Sequence, residues 1–373
     1  MKARVPAEVS PPGEFLKDEL EARDWTQVEF SEIIGRDSRL INEVINGKRS
    51  ITAETALIFS EALGTSPELW MNLESQYQLS KVRTRESSIS KKAGLHSKFP
   101  VREMIKRGWV GAAVTTEILE MQLFDFFGIK GIDEAPVLHY AAKKQSYINA
   151  PISQLTWLFR VKKIAETMVA KPYSEVSLRN ALPTLSALLL SPEGTRQVPK
   201  ILADAGVRFL VVEHLPGSKI DGACLWLDAK SPVIGLTMRR DKIDNFWFVL
   251  RHEIEHILNR DGQKHACIDV ELDATAAEGL PAEELLANEA AAEFCLPQKD
   301  LRSFIARVQP FFSEERVTLF ARKLNIHVGI VVGQLQRQLK RYDLLVKHQA
   351  KVRHIVCAAA VTDGFGFSYP IES

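Results

Sequence analysis

The sequence predicts a multi-domain chain, all-α at its N-terminal end and α+β beyond it. Three observations carry that prediction. The chain has 373 residues, more than the ~250–300 at which a single core usually stops growing. Its first 80 residues read as short helices set between Gly and Asn stops. Between residues 207 and 238, three runs rich in Val, Ile and Leu read as strands of a small sheet, and a long helical pattern follows them directly. A hydrophobic content of 46% with 25% charged residues marks an ordinary globular protein. A net charge of +1 leaves any affinity for a polyanion to a local surface. Cys224, Cys267, Cys295 and Cys357 are scattered without CxxC pairing. That spacing argues against a disulfide framework or a thiolate zinc site and fits a reducing cytosol. No apolar run approaches the ~18–20 residues that cross a bilayer, and residues 1–13 lack a signal-peptide core. A cytoplasmic location away from membranes is expected.

Residues 13–79 divide into five short helices. Thr26 is an N-cap with Glu29 at the N3 position, a capping box, and Gly35 stops that helix after Ile34. Asp37 caps the next helix, which runs to about Ile45 and closes at Asn46-Gly47. A helix from Thr52 or Ala53 to Leu63 ends at Gly64, and Ser66-Pro67 starts the last. On the helix after Asp37, Leu40, Ile41, Val44 and Ile45 make the buried stripe. Ser38, Arg39, Asn42, Glu43 and Asn46 are left outward, a polar set able to reach base edges. Lys48 and Arg49, just past the helix, are placed to hold phosphates. Against this, residues 1–85 hold eleven Lys/Arg and fourteen Asp/Glu, a balance of −3. A small helical protein-interaction module therefore stands as the competing reading.

From residue 81 to 107 nine basic residues face only Glu86 and Glu103. The segment reads as a solvated linker that turns helical near Arg102, with a nucleic-acid-facing strip as the sharper alternative. Residues 112–170 look helical. The strands are expected at 207–213, 223–228 and 232–238, then a helix over 244–259 capped by Asp244, then helices over 281–294, 313–324 and 329–347. The expected domains are 1–80, a basic linker and helical connector over 81–150, a metal-binding core over 151–300, and a helical region over 301–373.

The helix over 244–259 carries His252-Glu253-Ile254-Glu255-His256, an H-E-x-x-H motif. A spacing of four advances a helix by little more than one turn, so both imidazoles point to one side and can share a metal. Glu253 is rotated about 100° from His252, within reach of a coordinated water but not of the metal. Zinc lowers the pKa of such a water to ~7, and a neighbouring carboxylate can then take its proton as general base. Two helix-surface histidines brought together by chance are the bland alternative. Phe246, Val249, Leu250, Ile257 and Leu258 argue against it, because they bury the helix. A catalytic site needs a third protein ligand. The metzincin extension would put Gly at 259 and His at 262, where this chain has Asn259 and Gly262, so that subclass is excluded. Acidic residues downstream remain: Glu284 leads, and Glu278, Glu283, Glu289 and Glu293 stay open. Asn288, four residues after Glu284, is placed to be an outer hydrogen-bond partner of a ligating imidazole. His327 is a candidate for polarising a scissile carbonyl, weighed against a structural histidine in an apolar stretch.

Two resemblances sharpen this reading. Residues 244–256, with 284–297 (ELLANEAAAEFCLP) and 325–333, look like the ImmA/IrrE family of metallopeptidases, over roughly residues 203–335. The family pattern E-x-x-A-N-x-F-A-A-E-L-L-M-P implies Glu284 as third zinc ligand. Ala290 replaces its Phe and Phe294-Cys295-Leu296 its Leu-Leu-Met, at packing positions. The resemblance implies a zincin-like fold and cleavage of a DNA-binding repressor under a phage or stress signal. Trp25-Thr26-Gln27, Gly35-Arg36, residues 45–49 and residues 52–56 resemble an XRE-type helix-turn-helix of the HigA-like antitoxin kind, over about residues 12–73. That resemblance implies operator DNA binding as a homodimer, with Gln27, Ser38, Arg39 and Asn42 at contact positions and a toxin as another partner. The chain as a whole is thus expected to join an all-α helix-turn-helix domain to an α+β zincin-like domain with a small sheet and the H-E-x-x-H helix.

Overall fold

The computed structural model describes residues 9–82, 86–113, 115–138, 150–263, 267–270 and 280–370. The chain forms two compact units, 1–93 and 94–373. The candidate ligand Glu278 and the basic residues Arg83 and Arg85 lie outside the described residues.

The first unit contains α1 (Pro12–Glu21), α2 (Gln27–Ile34), α3 (Ser38–Ile45), α4 (Ala53–Leu63) and α5 (Pro67–Val82). Its local signals act as the sequence predicts. The Thr26 hydroxyl accepts from Glu29 N at 3.2 Å while Thr26 N donates to Glu29 Oε2 at 2.7 Å, closing the capping box. Gly35 takes the left-handed conformation at φ 62°, and the Asp37 carboxylate accepts from Arg39 N at 2.8 Å. Leu16, Phe30, Ile41, Phe59 and Trp70 close the core. On α3, Ile41 and Val44 are fully buried, with Leu40 and Ile45 half-buried beside them. Gly13 is required at the α1–α3 contact, since a Cβ there would lie 2.3 Å from the Val44 carbonyl oxygen.

The stretch expected to be a solvated linker turning helical near Arg102 is helical already from Glu86, in α6 (Glu86–Lys98), before α7 (Val101–Lys106) at the expected place. The reason is apolar: Leu95, Phe99, Val101 and Met104 are buried in a core with Phe126, Phe127 and Phe159. The basic residues occupy the other faces, so charge density masked the stripe beneath it.

In the second unit α8 (Thr116–Phe127), α9 (Ile152–Thr167), α10 (Glu175–Ala187) and α11 (Val198–Asp204) lead into β1 (Arg208–Val212), β2 (Ile220–Trp226) and β3 (Pro232–Leu236). Then come α12 (Ile243–Asn259), β4 (Cys267–Val270), α13 (Ala282–Cys295), α14 (Gln298–Val308), α15 (Glu314–Leu324), α16 (Val328–Leu339), α17 (Arg353–Cys357) and β5 (Val361–Asp363). The five strands make one mixed sheet in the order β4-β2-β3-β1-β5. β1 runs parallel to β3 and β5, and β2 antiparallel to β3 and β4. Alternation along the strands sends side chains to two cores. Leu210, Val212, Leu225 and Val233 face the core of α8 and α9. Phe209, Val211, Cys224, Trp226 and Ile234 face that of α12 and α16. A helix buried on nearly every side, as α12 is, must be apolar all round apart from groups with a task.

Three sequence expectations change here. β4, β5, α10, α11, α14 and α17 were not legible, the two strands because four and three residues are too short to show a period. The residue at the N-cap of α12 is Lys242, without a side-chain cap, and Asp244 is buried inside the first turn against Gly333 of α16. The helix expected over 329–347 ends at Leu339, where Lys340 turns left-handed. Among the described residues no helix is long and apolar enough to cross a membrane.

The sheet's far edge is tied by a buried ion pair. Arg160 of α9 meets Asp363 of β5 through two 3.0 Å hydrogen bonds, and Asp363 also accepts from Trp109 Nε1 at 2.7 Å. Removing one partner strands the other charge in a dry interior, at about 3–5 kcal/mol. Asp363→Ala should therefore lower the stability of the larger unit by about that amount, read as a reduced urea midpoint for its transition.

Candidate functional site

The side chains of α12 that point toward α13 and β4 carry the chemistry. His252 and His256 are fully buried, and their Nε2 atoms lie 3.0 Å apart. Helix α13 brings Glu284 to both: its Oε2 is 3.3 Å from His252 Nε2 and its Oε1 3.6 Å from His256 Nε2. Small residues explain the close approach. Ala287, Ala291 and Cys295, one turn apart, are the buried residues of α13, and they let its axis come near enough for a carboxylate to reach. A fourth donor arrives from β4, where Asp269 Oδ1 lies 3.3 Å from His252 Nε2. Donor atoms of His252, His256, Asp269 and Glu284 all fall within 4.8 Å of one another.

Glu253 is fully buried in the same pocket. Gly222 of β2 makes room for it, because a Cβ at 222 would sit 2.3 Å from Glu253 Oε1 and 2.8 Å from a Val249 methyl. Asp269 is the cross-strand partner of Gly222, so one register pair both opens space for Glu253 and delivers a carboxylate beside it.

The electrostatics follow from crowding three carboxyls and two imidazoles in a dry space. Burial, reinforced by the neighbouring Asp269, pushes the Glu253 carboxyl well above the usual carboxylate range. Burial alone would lower the His252 pKa, but the Asp269 and Glu284 carboxylates outweigh it and raise it to about 10. His256 moves up for the same reasons, burial being overcome chiefly by Glu284. Burial opposes the charge on Asp269 and Glu284 too, yet the imidazoles hold both below their ordinary values. Several buried polar atoms here are poorly satisfied: His252 Nδ1 has no partner, and the Glu253 oxygens and Asp269 Oδ2 have only each other's carboxyl beside them. Buried polar groups are normally satisfied, so such a concentration points to a ligand.

A divalent cation fits this donor set. Ligands about 2.0–2.1 Å from a central zinc stand roughly 3.3–3.4 Å from one another along the edges of a tetrahedron. From His252 Nε2 the other donors stand at 3.0 Å (His256 Nε2), 3.3 Å (Asp269 Oδ1) and 3.3 Å (Glu284 Oε2), near that length, and all four donor atoms fall within 4.8 Å of one another. An outer partner is also present, since His256 Nδ1 lies 3.1 Å from Asp261 Oδ2.

Of the residues chosen from sequence, His252, Glu253, His256 and Glu284 come together. Asn288 is half-buried one turn beyond Glu284 and makes no hydrogen bond to either imidazole, the outer place being filled by Asp261. His327 lies elsewhere. It is the N-cap of α16, its Nδ1 accepting from Gly329 N at 3.0 Å, beside Ile243 at the opposite end of α12 from His256. Two of the competing acids are placed away from the cluster: Glu293 accepts from Gln298 N at 2.9 Å, and Glu289 is exposed. Asp269 was missed; its one signal was a lone acid in the apolar run Cys267-Ile268-Asp269-Val270.

In the smaller unit, Ser38, Arg39 and Asn42 are exposed on α3, Gln27 is half-buried at the start of α2, and Lys48 and Arg49 are exposed just beyond α3. Arg39 Nε donates to Glu43 Oε1 at 2.8 Å and Arg49 lies 3.5 Å from Glu43 Oε2, so one glutamate holds two arginines at this surface. The helix-turn-helix family model matches residues 16–70, spanning α2, the Gly35 turn and α3.

The N-terminal unit carries a helix-turn-helix domain.

Known relatives are similar over a comparable stretch. Virulence-associated protein A' of Dichelobacter nodosus is 35% identical over 72 residues, 19% of this chain and 63% of that protein. The chain thus spans less than two thirds of that relative's length. An uncharacterised HTH-type transcriptional regulator, YddM, of Escherichia coli K12 is 26% identical over 68 residues, 18% of this chain and 72% of that protein. Among solved structures, a putative antidote protein of a plasmid maintenance system from Nostoc punctiforme is 38% identical, covering 21% of this chain and 86% of that one, with a TM-score of 0.21.

The Gly222 contact is directly testable. Gly222→Ala should displace Glu253 and cost about 1–3 kcal/mol by overpacking, measured by chemical denaturation. A variant as stable as the parent would show that the pocket yields at β2.

Proposed function

We propose that the chain is a DNA-binding transcriptional regulator whose larger unit is a zinc-dependent endopeptidase, cutting a repressor or itself in response to a stress or phage signal. The observation that carries the enzymatic half is the convergence of His252, His256 and Glu284 donor atoms around one point, with Glu253 buried beside them. Two imidazoles and a carboxylate are the donor types of hydrolytic zinc sites. When bound, zinc supplies a Lewis acid that polarises a scissile carbonyl and acidifies water. The chain's own residues do the rest. His252, His256 and Glu284 hold the metal, Asp261 orients the His256 ring, and Glu253 takes a proton from the attacking water and returns it to the leaving amine. The buried walls around Glu253 keep bulk water from competing for that proton. The resemblance to ImmA/IrrE metallopeptidases supports a repressor as substrate.

The regulatory half rests on the helix-turn-helix match and on the exposed polar face of α3. Ser38, Arg39 and Asn42 would read base edges in the major groove, with Gln27 at its border and Lys48 and Arg49 on phosphates. The similarity to a transcriptional regulator and the HigA-like pattern support operator binding, as a homodimer in the cytoplasm. The second reading is an antitoxin-like regulator whose zinc unit senses or binds a partner, such as a toxin, without turnover. Asp269 favours it, as a carboxylate standing where a catalytic site keeps an opening.

Metal content and cleavage separate these readings. Wild type and Glu253→Gln should each retain one zinc per chain. Cleavage of the chain itself, or of a repressor encoded beside it, should fall about 10²–10⁴-fold in the variant. Undiminished cleavage would remove Glu253 as base, and zinc without cleavage in wild type would favour the sensor. For DNA, a duplex from upstream of the chain's own coding sequence should be shifted at low salt. Arg39→Ala and Lys48→Ala should weaken that shift, Lys48→Ala also flattening the log–log salt slope by about 0.9. Binding indifferent to both substitutions would favour a protein-interaction module.

A further inference from the structure

We infer that Asp269 is a fourth protein ligand that closes the metal site, so that the centre in this conformation is latent and opens only when Asp269 is displaced. The inference rests on the zinc reading above and goes beyond it. Asp269 Oδ1 lies as close to His252 Nε2 as the Glu284 carboxylate does, 3.3 Å in each case. Its Oδ2 has no donor beside it but the neighbouring Glu253 carboxyl, and Asp269 as a whole is 3% exposed. A carboxylate so deeply buried needs a positive partner, which a bound cation would supply together with the imidazoles.

With four protein donors the coordination is that of a closed, structural zinc site, whereas a catalytic one has three and an open position. Asp269 and Glu253 are neighbours across Gly222, so Asp269 stands where water would have to meet the base. The element that holds it is suited to release. β4 is four residues long and, among the described residues, lies at the end of the sheet and pairs with β2 alone, through a ladder with an irregularity between Ile220 and Gly222.

Cobalt(II) substitution tests this without any substrate. The full-length chain, Asp269→Ala and Asp269→Asn are stripped of metal, reloaded with Co2+ and titrated with acetohydroxamate while the visible d–d bands are recorded. The asparagine variant keeps the side chain's shape should the alanine variant fail to fold. In wild type the bands should be intense and indifferent to acetohydroxamate. In the variants they should shift on its addition, and Co2+ affinity should fall about tenfold or more. A wild-type spectrum as responsive as the variants', with equal Co2+ affinity, overturns the fourth ligand and leaves the zinc reading intact. A wild-type chain that binds neither Co2+ nor Zn2+ overturns both.

Discussion

A cluster of ionisable groups buried between α12, α13 and β4 constrains everything around it. Five side chains that prefer water, His252, Glu253, His256, Asp269 and Glu284, meet in a space where all but Glu284 are almost wholly covered. Such a cluster survives only if its members neutralise one another or a cation. That requirement explains features with no value for stability alone. Gly222 forgoes a side chain so that Glu253 has room. The alanines of α13 forgo apolar bulk so that Glu284 can reach. Asp261 leaves the end of α12 to fix one imidazole. The apolar sheath of α12, with Phe246, Trp247, Val249 and Ile257, supplies the burial that opposes the cluster and holds its rings in place.

The two units are built on different physics. The helix-turn-helix is shaped by local devices, a capping box and glycine stops that depend on residues close in sequence, around a ten-residue core drawn from all five of its helices. Its candidate DNA surface has few charges and spends two arginines on one glutamate, so any grip on DNA comes from a few placed side chains more than from a broad basic field. The larger unit is non-local. Its sheet joins β1 to β5 across some 150 residues of chain, and its buried Arg160–Asp363 pair spans 203. The candidate site belongs to this second kind, since three elements distant in sequence deliver its donors.

How much could be read in advance follows from this difference. The boundaries of α2, α3 and α4 were legible because caps and stops act within four residues. The three central strands were legible because they are five to seven residues of β-branched and aliphatic side chains. The helical stretch over Glu86–Lys98 was not, because its buried Leu95 lay among lysines. His327, in an apolar stretch, looked available for chemistry, and the fold uses its ring nitrogen to cap α16.

His252, Glu253 and His256 are determined by sequence alone, because the helical repeat sets their relative directions before any tertiary contact forms. Glu284 was reached through a pattern on α13, and its choice over Glu289 and Glu293 was decided by which side of that helix packs on α12. Asp269 belongs wholly to the tertiary structure. Nothing near it in sequence marks it, and only the antiparallel register that pairs it with Gly222 carries its carboxylate to the imidazoles. A helix can present two ligands by its own geometry, but closing a site around them takes chain from elsewhere, and where that chain arrives is a property of packing.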